Sequence, residues 1–176
     1  MILIALICFL CGIVCPKHSC YAQHSAIPET LIQKLYADIQ DENFRLSDAD
    51  KEIIKNHLKC KLKDINTDSL LEIFLFVNHS DWCGAGSSCD YWVYQETDHG
   101  YKLLLNEKNL RAMKSFTNGY RDIVSEVPMG FCSKEEQRFA TDTYKYDGQR
   151  YKFHSNESIC KNVKTKSIRI EQTDQK

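Results

Sequence analysis

The chain has no excess of charge of either sign: 23 Lys and Arg stand against 24 Asp and Glu in 176 residues. Without a basic surplus there is no global electrostatic footprint for nucleic acid, and none is expected as a partner. Also missing is an apolar run of the ~20 residues that a membrane-spanning helix needs. The run Ile2 to Cys15 falls short of that and is stopped by Pro16. Beyond residue 22 there is no Cys-x-x-Cys pair, which removes thioredoxin-like dithiol chemistry.

What is present at the N-terminus reads as an export leader. The apolar run forms its h-region, and Cys20-Tyr21-Ala22 puts small residues at −3 and −1 of a cleavage site after Ala22. Lys17, three residues before Cys20, argues against a lipidated cysteine. The expected organisation is a signal peptide at 1–22, a single domain at 23–160 and a flexible basic tail at 161–176. The mature chain would be periplasmic or secreted, with no transmembrane segment.

Cysteine usage agrees with export. The mature chain keeps Cys60, Cys83, Cys89, Cys132 and Cys160, an odd set. Cys83 and Cys89 are the evident pair, because small residues between them close a ring without strain. Loop entropy assigns such a ring about 2.4 kcal/mol. The other three have no unique pairing. Cys132–Cys160 is expected because it would pin the last hairpin to the loop before it, leaving Cys60 on the buried side of a strand.

Periodicity supplies the elements. Leu31, Ile32, Leu35, Tyr36 and Ile39 recur at helical spacing across Pro28 to Asp41. A second short helix is expected from Ser47, with Asp50 three residues on making an imperfect capping box. At Leu58 the period changes to two: Leu58, Cys60 and Leu62 alternate with Lys59, Lys61 and Lys63, a strand with one wet face. Leu70 to Val77 is nearly continuous apolar and predicts a strand covered on both sides. Strands are predicted over Cys89–Glu96 and Tyr101–Leu105 about Asp98-His99-Gly100, and over Tyr120–Val127 after Asn118-Gly119, stopping at Pro128. Asp147-Gly148 joins Thr141–Tyr146 to Arg150–His154. The fold class is therefore α+β, with one or two N-terminal helices packed on a mainly antiparallel β-hairpin and meander domain.

Asp64, Asn66, Asp68 and Glu72 form a D-x-N-x-D-x-x-x-E pattern. Alternate residues of a tight loop can aim side-chain oxygens inward, and hard oxygen ligands suit calcium. An EF-hand is excluded, since Leu75 stands where that loop needs a bidentate Glu and Ser69 where it needs Gly. The alternative is a metal-free turn whose Asp and Asn side chains bond their own backbone. No other cofactor is implied.

The turn and its following strand resemble the calcium-loop segment of FG-GAP/VCBS-type β repeats. The longer stretch 58–127, with Cys83-Gly84, Gly86 and Cys89, then Tyr91-Trp92-Val93-Tyr94 and Asn118-Gly119-Tyr120-Arg121-Asp122-Ile123, is similar to small exported bacterial proteins of unassigned activity. That resemblance implies a β-rich domain and carries over no catalytic residues.

Three functional readings follow. The leading one is an exported, non-catalytic binding domain for a protein or envelope component, with Tyr91, Trp92, Tyr94 and Tyr101 as an aromatic docking face. A second is an inhibitor of an extracellular hydrolase that uses the Cys83–Cys89 loop as a wedge. A third is a cysteine hydrolase using Cys83 with His79, which requires a thiolate beside its base.

Overall fold

The computed structural model describes residues 27–40, 44–84 and 88–171. The expected leader at 1–22 lies outside them, as do 85–87 of the cysteine loop and the last residues of the tail.

Two helices come first, α1 (Glu29–Ile39) and α2 (Asp48–His57). Pro28 precedes α1, and its carbonyl accepts the N–H groups of Leu31 and Ile32 at 2.9 and 3.1 Å. A proline is tolerated there because the first helical N–H groups have no internal partner. The α2 capping box is complete: the Ser47 hydroxyl accepts the Asp50 N–H at 3.1 Å, and the Asp50 carboxylate accepts the Ser47 N–H at 2.9 Å. None of the described helices is long and apolar enough to cross a membrane.

Among the described residues ten strands follow, in two antiparallel sheets. The first sheet contains β1 (Leu58–Lys63), β2 (Glu72–Val77), β3 (Cys83–Gly84), β4 (Ser88–Thr97) and β5 (Gly100–Lys108). Its order is β1-β2-β4-β5, with the short β3 also on β4. The second sheet is a meander of β6 (Leu110–Thr117), β7 (Tyr120–Ser133), β8 (Glu136–Tyr146), β9 (Tyr151–Asn162) and β10 (Ile168–Glu171). The chain passes from one sheet to the other at Asn109. Its side chain accepts the Cys89 N–H at 3.1 Å and donates to the Glu126 carbonyl at 3.1 Å.

Two buried clusters hold these layers. One draws from both sheets and includes Phe74, Val93, Leu104, Ile123, Tyr144 and Tyr151. The other combines Leu31, Leu35 and Ile54 of the helices with Ile73, Leu75, Val77, Trp92 and Tyr94 of the first sheet. The lysine alternation of β1 is as expected, with Lys59, Lys61 and Lys63 exposed and Cys60 half-buried.

Four sequence expectations need correction. β2 begins at Glu72 rather than Leu70. β7 runs through Pro128 to Ser133, because its register shifts between Pro128 and Gly130. A bulge is one of the few places where a sheet accepts a residue without an N–H. β6 was not expected at all, and it is held by pairing with β7. Finally, part of the segment expected to be a flexible tail forms β10, in register with Ser158 to Lys161.

Candidate functional site

The acidic turn between β1 and β2 is where the two sheets are fastened. Asp64 accepts the N–H groups of Asn66, Thr67 and Ser69 at 3.2, 2.6 and 3.2 Å. Asp68 accepts the Asn66 side-chain amide at 2.7 Å and the Leu70 N–H at 2.7 Å. Asp64, Asn66 and Asp68 are thus brought together, but as acceptors for their own backbone. Two non-glycine residues carry the sharp bend in the left-handed region, Thr67 at φ 60° and Ser69 at φ 67°. Among the described residues no group of three or more His, Cys, Asp and Glu is drawn together as a metal would require.

Glu72 faces away from the turn's exterior. It is buried, and its Oε2 accepts the Ile65 N–H at 2.9 Å. Ile65 in turn accepts the Arg121 N–H of β7 at 2.6 Å. One carboxylate therefore links β2, the turn and the second sheet. Burial pushes the Glu72 carboxyl up to about 7; the Ile65 N–H offsets part of this, and Asp68 and Asp64 add to it.

Beside Glu72 lies a tyrosine group. The rings of Tyr120 and Tyr146 stack with centroids 3.9 Å apart, and Tyr151 stands edge-on to both. The Gln95 amide donates to the Tyr120 hydroxyl at 2.8 Å, and the Tyr151 hydroxyl donates to the Arg121 carbonyl at 2.7 Å. Burial raises the Tyr151 hydroxyl, and the nearby charges of Glu72 and Asp122 raise it further. Asp122 is also buried, and its Oδ1 has no hydrogen-bond partner among the described residues. An open cleft of about 270 Å³ lies against Glu72, lined also by Leu70, Leu71, Gln95 and Asp98. The arrangement can hold a proton near neutral pH.

The cysteine sites are joined as expected, Cys83 to Cys89 and Cys132 to Cys160. Cys60 belongs to neither bond. A disulfide sulfur is not the thiolate that acyl transfer needs. His79 contacts Asp81 at 3.8 Å and the His57 ring at a centroid distance of 4.6 Å. The residues that would form the tip of a Cys83–Cys89 wedge, 85–87, lie outside the described residues.

The aromatic docking face is corrected. Trp92 and Tyr94 are 3% and 0% exposed, inside the cluster that contains the helix residues. The Tyr94 hydroxyl donates to Asp38 of α1 at 2.8 Å. Tyr91 and Tyr101 are half-buried and pack against the two cores.

A different surface is open. At the far end of the second sheet Met129, Phe131, Ile168 and Ile170 are 63%, 73%, 59% and 60% exposed. Strand register aligns Phe131, Gln137, Lys161 and Ile168 in one row across β7 to β10, and Pro128, Phe139, Ile159 and Ile170 two rows along. Lys161 lies over the Phe139 ring, 4.9 Å from its centroid, and bonds Glu126. Burial alone would raise Glu126, but hydrogen bonds from Lys161 and Arg111 hold its carboxyl below the usual range. The sequence signal for this surface is the alternation Ile168-Arg169-Ile170, within the segment that composition alone reads as a flexible tail. Comparison with family models, with curated proteins and with solved structures returns no match.

Proposed function

We propose that this chain is an exported domain that acts by binding a protein or envelope component rather than by chemistry. The observation that carries the reading is the exposed apolar end of the second sheet. Most surface apolar residues of a folded chain are scattered singly, whereas clustered ones mark interaction sites. In this reading the helices, packed on the first sheet, are scaffold, and β7 to β10 are the working face. Two disulfides support an oxidising compartment, where such bonds persist.

Intact-mass measurement on protein recovered from the secretory route tests export. The chain should begin near Gln23, and reduction should add the hydrogens of two disulfides. A retained leader, or a mass unchanged by reduction, would reject the exported state. The binding claim is tested by retention of an envelope or extracellular fraction on immobilised protein. Phe131→Ser with Ile170→Ser should abolish retention at an unchanged melting curve. Retention that survives both substitutions would remove this face from the function.

A further inference from the structure

We propose that the far end of the second sheet docks on an anionic phospholipid membrane. This inference rests on the binding reading above and names its partner. Two hairpin turns meet at this end, since Ser133 pairs with Glu136 and Glu136 with Asn162. The Val163 N–H donates to the Glu135 carbonyl at 2.9 Å, joining the two turns. The Cys132–Cys160 bond ties β7 to β9 across the intervening β8. The end is therefore one fastened edge.

That edge is both apolar and basic. Exposed Met129, Phe131, Val163, Ile168 and Ile170 supply the apolar part. Stretches 128–138 and 159–170 also hold Lys134, Arg138, Lys161, Lys164, Lys166 and Arg169, against only Glu135 and Glu136. Elsewhere the balance reverses: stretch 38–52 holds six acids against Arg45 and Lys51. An anionic surface would therefore attract this end and orient the molecule. Lys164 is engaged with Glu135, Arg169 with Glu136 and Lys161 with Glu126. The Lys164–Glu135 pair is exposed and worth little, and lipid phosphates can replace it.

Other partners fit less well. A second copy would set one basic patch against another. Single-stranded nucleic acid would need a platform of stacking aromatics. Here Phe131 is accompanied by isoleucine, valine and methionine. Such side chains suit the acyl boundary, while Lys and Arg stems lie along it with their charges at the phosphates.

Vesicle sedimentation decides the matter, using phosphatidylcholine alone or with about a third phosphatidylglycerol. Wild-type and variant chains share one N-terminus, so differences between them read the sheet end alone. The protein should partition onto the anionic vesicles and release as salt rises. Lys134→Glu with Lys166→Glu should lower partitioning at least about tenfold. Phe131→Ser with Ile168→Ser should also lower it several-fold, at unchanged melting curves. Equal partitioning onto both vesicles, or onto wild type and charge variant alike, would overturn the proposal. If vesicles fail while an extracellular protein is retained and lost with Phe131→Ser and Ile168→Ser, lipid is rejected and the binding reading stands. If both fail, the binding reading falls too. Should the apolar variant not fold, the charge pair, placed on exposed side chains, decides alone.

Discussion

Along β2 the side chains pass alternately into two cores: Phe74 into the one shared by the sheets, and Ile73, Leu75 and Val77 into the one shared with the helices. Along β7 burial runs out instead. Asp122 to Ser125 are buried, whereas Met129 to Phe131 are exposed. Both are antiparallel strands of the same chain, and the difference is what covers them. A strand covered on both sides spends every side chain on folding. At the uncovered end of β7 the exposed side chains of Met129 and Phe131 bury little area, so they are free to serve contact with something else.

The largest expected effect measures that contrast directly. Leu75 is fully buried. Leu75→Ala removes buried methyl groups and leaves a cavity, so it should cost about 2–5 kcal/mol in denaturant unfolding. Ile170→Ala, on the open end, should stay within about 0.5 kcal/mol. A similar cost at both sites would mean that β10 is packed as part of a core, and the comparison would collapse.

Glu72 stands at the joint of the two sheets and gives the next effect. Its carboxyl is raised from 4.5 to about 7 in the folded chain. The native state therefore holds a proton that the unfolded chain releases. Stability from this group is complete below about pH 4.5 and is lost as pH rises through about 7. The loss should be on the order of 2–3 kcal/mol. Glu72→Gln keeps an acceptor for the Ile65 N–H and cannot ionise. Unfolding midpoints at pH 5 and pH 8 should diverge for the wild type and much less for the variant. Parallel midpoints would show that the joint is wetter than its burial implies.

Local patterns made much of this fold legible. The capping box of Ser47 and Asp50, the lysine alternation of β1, and the turns at Asp98-His99, Asn118-Gly119 and Asp147-Gly148 depend on neighbours in sequence, and all are present. β6 was missed because Arg111, Ala112 and Met113 show no clean alternation, and its pairing with β7 is bulged between Ala112 and Phe116. β10 was missed because four residues carry little signal until β9 is beside them. The site is less legible for the same reason. Glu72 is visible in sequence as an acid ahead of an apolar strand, but its surroundings, Ile65 and Tyr151, are set by the fold. Trp92 and Tyr94 are equally readable as exposed or covered. The helical region decides it: Leu31, Leu35 and Ile54 share their cluster, and Asp38, 56 residues before Tyr94, accepts its hydroxyl.

The smallest expected effect sharpens the comparison at the turn that joins its two halves. Ser69 holds φ 67°, a left-handed conformation that costs a residue with a Cβ. The conformation persists because Asp64 accepts the Ser69 N–H and Asp68 the next one. Ser69→Gly removes the Cβ penalty but also loosens the unfolded chain, and these two terms oppose each other. The net should be a gain of less than about 1 kcal/mol. Asp64→Ala should act in the opposite sense and by more, because it leaves the N–H groups of Asn66, Thr67 and Ser69 without their acceptor. Unfolding midpoints of the two variants should therefore fall on opposite sides of the wild type. If Ser69→Gly destabilises as Asp64→Ala does, side-chain contacts of Ser69 hold the bend together with the Asp64 carboxylate. The joint between the sheets would then rest on both residues.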